Sequence, residues 1–137
     1  MKVLVATDGS EHSMKAVQRG LELAETQNAQ VTLMSVAYYG ADYLEGMPPN
    51  IQEKLEDEAR AALKKSKAVF DAKNIPVETV LQAGLVPANL IIQKAQEGKF
   101  DRIIMGSTGM NALEKIIMGS TASKVVAHAP CEVTVVR

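Results

Sequence analysis

The chain has 137 residues, enough for one domain and short for two. Its 47% hydrophobic content excludes a disordered chain, and 15 Lys+Arg against 16 Asp+Glu gives no bulk pull towards nucleic acid or an anionic membrane. Aromatics at 4% offer no stacking platform for single strands, and one cysteine, Cys131, excludes an intramolecular disulfide.

Lys2–Thr7 (KVLVAT) is a nearly continuous apolar run and predicts a strand buried on both faces. Asp8-Gly9-Ser10 bounds it, with Ser10 placed to cap the next segment and Glu11 in its first turn. Met14, Val17, Leu21 and Ala24 then trace one helix face as far as Gln27-Asn28. Gln30–Ala37 returns to strand character. Tyr38–Asn50, with Gly40, Gly46, Pro48 and Pro49, reads as a loop or lid. Asn50–Lys73 is helical, with Ile51, Leu55, Ala59, Ala62, Ser66 and Val69 on its apolar side. Its acids come early and its lysines late, an order that suits the helix dipole.

Asn74-Ile75-Pro76 breaks that helix, and Val77–Ala83 is a third strand ended by Gly84. Pro87 opens a helix with Leu90, Ile91, Ile92 and Ala95 inward, stopped by Gly98. Asp101–Met105 is a fourth strand, followed by the loop Gly106–Gly119. Ser120–His128 is a last helix with Val125 and Val126 inward, and Cys131–Arg137 a fifth strand. No apolar run approaches a membrane span, and the start lacks a signal peptide's apolar stretch. The expectation is a cytoplasmic protein without membrane insertion.

Strict β-α alternation predicts a single-domain, three-layer, doubly wound α/β parallel sheet with helices on both faces. Ligands of such sheets bind beyond the carboxyl ends of the strands, where the strand order reverses. Two loops there are unusual: Thr7-Asp8-Gly9-Ser10 after the first strand, and Gly106-Ser107-Thr108-Gly109 after the fourth. Nine residues further on, Gly119-Ser120-Thr121 opens a helix. Glycine backbone and a helix start can wrap a phosphate chain with neutral donors. The P-loop pattern G-x-x-x-x-G-K-[ST] is absent, and G-x-G-x-x-G fails because residue 108 is Thr.

The spacing Gly106-x2-Gly109-x9-Gly119-Ser120 resembles the nucleotide-binding signature G-x2-G-x9-G-[S/T] of the universal stress protein family. The likeness covers the whole chain, 1–137, including T-D-G-S after the first strand, I-I-M-G-S at Ile103–Ser107 and the ending H-A-P-C-E-V-T-V-V-R. It implies a five-stranded Rossmann-like sheet of order 3-2-1-4-5, the adenine nucleotide hydrolase-like fold, whose order reverses between strands 1 and 4. It also implies binding of ATP or a related adenine nucleotide. Carried over by position, Ala6 and Thr7 line the adenine, Val36 offers backbone bonds to the base, and Asp8 contacts the ribose. Met105 and Gly106 lie beside ribose and first phosphate. Gly109, Gly119, Ser120 and Thr121 hold phosphates, with Met110 and Asn111 among the binding residues. The likeness further implies a homodimer through the last strand, 132–137, whose valines sit at a sheet edge.

The loop departs from many members in one respect. His, Arg or Lys often stands just inside the glycines. Here Ser107, Thr108, Met110 and Asn111 are neutral, and Lys115 is the nearest base in sequence. ATP would lean on backbone donors, Mg or Lys115, while AMP or cyclic AMP would need less charge compensation.

Plainer readings stand beside each site residue. Asp8 could only shape a turn, Ser120 only cap a helix, Met105 and Val36 only fill the core, and Gly84 only end a strand. His12 and His128 read as capping or surface residues, and Cys131 as an inert core thiol. No catalytic constellation and no metal-ligand spacing is evident. The leading expectation is an adenine-nucleotide-binding stress-response regulator with at most slow hydrolysis, acting on an unknown protein partner. A true ATPase or phosphotransferase, and a nucleotide-free dimeric scaffold, are the alternatives. An N-type ATP pyrophosphatase ranks low, because its S-G-G-x-D-S loop is replaced by Thr7-Asp8-Gly9-Ser10.

Overall fold

A computed structural model describes residues 1–38, 49–108 and 118–137. Among these, the elements run β1 (Lys2–Ala6), α1 (Glu11–Gln27), β2 (Gln30–Tyr38), α2 (Pro49–Asp71), β3 (Glu78–Gly84), α3 (Pro87–Glu97), β4 (Arg102–Gly106), α4 (Ser120–His128) and β5 (Glu132–Val136). The strands form one parallel sheet in the order β3-β2-β1-β4-β5. The order reverses between β1 and β4, so the expected doubly wound architecture is the one observed.

The two sheet faces bury different helices. Val3 and Val5 of β1, with Leu33 and Ile104, pack against Ala16, Val17 and Leu21 of α1 and Leu63 and Phe70 of α2. Leu4, Met34, Ile103 and Met105 pack on the other side, against Ala88, Ile91 and Ala95 of α3 and Ala122 and Val125 of α4. Each β1 residue alternates between the two cores, which is why its sequence reads apolar throughout. Five fully buried aliphatic side chains from the central strands (Val3, Leu4, Val5, Ile103 and Ile104) would each contribute about 1.5–3 kcal/mol by burial.

Several sequence expectations shift. Thr7 lies past β1 and Asp101 ahead of β4, while Gly84 and Gly106 are the last residues of their strands. Helix α2 starts at Pro49 and stops at Asp71, so its first turn carries no acid and its last no base. Its charges instead pair locally, Arg60 with Asp57 at 2.7 Å and Lys67 with Asp71 at 2.9 Å. Such exposed pairs contribute about 0–1 kcal/mol each. Val126 is 48% exposed, whereas Val125 is fully buried. Adjacent helical residues point about 100° apart, and a nine-residue helix on a flat sheet buries one stripe only. The loop expected at 38–50 is cut at both ends by structure: Tyr38 closes β2 and Pro49 opens α2. Residues 39–48 lie outside the described set.

One feature of register positions the site. β1 pairs with β2 only as far as Ala6 opposite Met34, and the Thr7 N–H donates the last rung to the Met34 carbonyl at 2.8 Å. β2 continues beside β3 as far as Tyr38 opposite Gly84. Successive strand residues turn their backbone groups to alternate sides. Val36, two residues past Met34, therefore turns its N–H and C=O towards the space beyond the end of β1.

Candidate functional site

The turn after β1 is held by a compact set of side-chain hydrogen bonds. Thr7, only 4% exposed, reaches Ser66 of α2 (Oγ1 to Oγ, 2.9 Å) and Ser13 of α1 (3.3 Å). Ser13 Oγ also accepts from the Asp8 N–H and donates to the Ser10 carbonyl, while Thr7 Oγ1 accepts from the Gly9 N–H. Gly9 has φ +80°, a left-handed conformation that favours glycine, and packs on Ala62. Its carbonyl accepts from Lys65 Nζ at 3.0 Å. Ser10 caps α1, its hydroxyl accepting the Ser13 N–H.

Within this frame Asp8 is exposed. Its Oδ1 accepts the Ser10 N–H at 2.9 Å, so the turn-shaping reading holds for one carboxylate oxygen. The side chain nonetheless stands at the switch point, open to solvent.

The second loop approaches from β4. Gly106 ends that strand against the first turn of α1. A Cβ there would lie 2.8 Å from the His12 carbonyl carbon, 2.9 Å from His12 Cβ and 2.9 Å from the Ser13 nitrogen. Gly106 is therefore required by close packing of α1 on β4. Ser107 and Thr108 are buried. The Ser107 carbonyl accepts the Gly119 N–H at 2.6 Å, which ties the start of the loop to its end. Helix α4 follows at once. Its N-cap is Gly119, not Ser120, and glycine has no side chain with which to accept a first-turn N–H. Ser120 is exposed and Thr121 half-buried, both in that first turn.

The structure thus brings Ala6, Thr7, Asp8, Gly106, Gly119, Ser120 and Thr121 to the carboxyl ends of β1 and β4, with Val36 on the neighbouring strand. Met105 is 5% exposed and belongs to the core under α3 and α4; Ala6 and Val36 pack against the same core. Gly109, Met110, Asn111 and Lys115 lie outside the described residues. A groove of about 550 Å³ lies elsewhere, between α2 and edge strand β3, lined by Arg60, Leu63, Lys64, Lys67, Thr79 and Leu81. Among the described residues no cluster of three potential metal ligands occurs.

Four residues at the site had no functional signal in sequence. Ser66 falls on the apolar side of its helix and reads as a small core residue, and Ser13 carries no mark of its own. Lys65 sits in a run of lysines. His12 was expected to cap or to face solvent, yet it is half-buried and its Nδ1 pairs with Thr108 Oγ1 at 2.5 Å. Only a long-range contact distinguishes it. His128 is exposed in the last turn of α4, as expected. Burial, with the nearby Asp101 and Glu132 carboxylates adding to it, pushes the Cys131 thiol up, which keeps it protonated and unreactive near neutral pH.

A five-stranded parallel sheet of order β3-β2-β1-β4-β5 with helices on both faces defines a doubly wound, Rossmann-like α/β protein. The universal stress protein family model matches residues 1–137, and the chain belongs to that family. It is 35% identical over 139 residues to universal stress protein MJ0531 of Methanocaldococcus jannaschii, covering 99% of this chain and 81% of that one. Among solved structures, protein MJ0577 superposes with a TM-score of 0.84 at 26% identity, covering 98% of this chain and 94% of that one. A universal stress protein solved in complex with cAMP shares the fold with a TM-score of 0.73 at 23% identity, covering 100% of this chain and 97% of that one. Among the described residues no helix is long and apolar enough to cross a membrane.

Proposed function

We propose that this chain is an adenine-nucleotide-binding regulatory protein of the stress response, with ATP as the leading ligand and at most slow hydrolysis. The observation that carries the reading is the convergence at one point of three chemically distinct features: the exposed Asp8 carboxylate, the outward backbone of Val36, and a helix start with no side-chain cap. A carboxylate accepts from ribose hydroxyls. A backbone N–H and C=O side by side match the donor and acceptor edge of adenine. An uncapped α4 offers first-turn N–H groups and the positive end of the dipole to a phosphate, with the Ser120 and Thr121 hydroxyls alongside.

Gly106 brings β4 close to α1, and Gly119 closes the loop. Their part is to shape the phosphate end, with Gly109 between them in sequence. At that end the Ser120 and Thr121 hydroxyls are the oxygen donors that would face Mg accompanying ATP. The same geometry accommodates AMP or cAMP, which place fewer charges against α4. Occupancy reaches the protein surface through Thr7, whose hydroxyl links the turn to α2. A homodimer through the outer edge of β5 completes the reading; β5 is the last strand of the sheet and its valines are half-buried. Native mass spectrometry of freshly purified protein tests it. Retained adenine nucleotide at twice the chain mass is expected. A nucleotide-free monomer with no calorimetric binding of ATP, AMP or cAMP overturns it.

A further inference from the structure

We propose that His12 supplies, from α1, the chargeable phosphate contact that the Gly106–Gly109 stretch lacks, and so sets the preference for triphosphate over monophosphate. This rests on the nucleotide-binding reading above. Between Gly106 and Gly109 the loop carries only Ser107 and Thr108, both neutral. The structure places an imidazole directly against that stretch. His12 Nδ1 pairs with Thr108 Oγ1, and Thr108 is 9% exposed, so its hydroxyl is held inside the fold.

The placement is fixed at both ends of the side chain. The His12 backbone lies so close to the end of β4 that a Cβ on Gly106 would fall 2.8 Å from its carbonyl carbon. The ring is anchored by Thr108. An imidazole has two polar atoms, and Nδ1 is used. Nε2 is the remaining one, and it carries a proton whenever Nδ1 accepts from the threonine hydroxyl. Among the described residues no hydrogen bond occupies Nε2, the atom we assign to a phosphate oxygen, and a bond from a charged imidazole is about twice as strong as a neutral one. The other cation described at the turn, Lys65, already binds the Gly9 carbonyl. The neutral Ser107-Thr108 stretch thus gains an imidazole by way of a neighbouring helix.

A purely structural His12 would only fasten α1 to β4, so the test must read ligand charge rather than stability. Calorimetry would compare ATP, ADP and AMP on the wild-type chain, His12→Gln, His12→Ala and His12→Lys, with urea melts of each. Gln retains hydrogen-bonding capacity without the charge, so it keeps the proposal open if Ala fails to fold. The expected result is about a tenfold loss of ATP affinity in His12→Gln, the size of one charge-assisted bond. AMP affinity should stay within about twofold, and Lys should restore the ATP preference. An ATP-to-AMP ratio unchanged in both Gln and Lys variants overturns this inference while leaving the nucleotide reading standing. A wild-type chain that binds none of the three overturns both.

Discussion

Helix α1 begins beneath a serine whose hydroxyl accepts a first-turn N–H; helix α4 begins beneath a glycine with no side chain to do so. Around the first start, Thr7, Asp8, Ser10, Ser13 and Ser66 satisfy one another, and Lys65 binds the Gly9 carbonyl. Around the second, one backbone bond from Gly119 to Ser107 closes the loop. The two turns face each other across the switch point, and the contrast gives them separate tasks. The β1 turn spends its polar groups on its own rigidity and presents one exposed carboxylate. The α4 start has no cap side chain to occupy its donors. A binding site needs both, because uncommitted donors are useful only when something rigid holds them in place.

The comparison breaks most completely at Gly106, where the two halves touch. Gly106→Ala puts a methyl group within 3 Å of three α1 atoms, two of them backbone. A loss of roughly 1–3 kcal/mol is expected from overpacking, read as a lower urea midpoint. Ser66→Ala removes one partner of a fully buried hydroxyl pair. It should cost about 1–3 kcal/mol in the same melt, since Thr7 then relies on the longer contact to Ser13. A Thr7→Val, Ser66→Ala double variant should be less damaging than the sum of the singles, because both hydroxyls leave together.

Ser10→Ala removes the α1 cap and should lower stability by about 1 kcal/mol. The smallest expected stability effect sharpens the contrast most. Gly119→Ser gives α4 the kind of cap α1 has, shifting stability by only a few tenths of a kcal/mol. Its hydroxyl would compete with phosphate for the same first-turn N–H groups. Calorimetry should therefore show weaker ATP binding in a chain no less stable than wild type. Unchanged ATP affinity would remove α4 from the site.

The order and type of the elements were legible because each depends on local periodicity and on Gly and Pro punctuation. Ser10 as a cap, the helix end at Gln27-Asn28 and Pro87 in the first turn of α3 needed nothing but neighbours in sequence. What failed depended on the third dimension. Thr7 looked like more strand, but its hydroxyl is drawn down to Ser66, fifty-nine residues away. Val126 looked inward because its neighbour is. At the site, Gly119 and Asp8 were visible as motif positions and Val36 only through the family resemblance. His12 was misread because its partner, Thr108, is ninety-six residues distant and neither residue carries a local mark.

The run of β2 past the end of β1 has a consequence for how such a site changes over time. What Val36 turns towards the switch point is main chain, and every residue except proline carries the same two groups there. Substitution at position 36 can alter the side chain in the core beneath without altering that hydrogen-bonding edge. A recognition surface built this way drifts freely in sequence while holding its chemistry constant. A proline at position 36, or a change in strand register by insertion or deletion before Met34, would silence it.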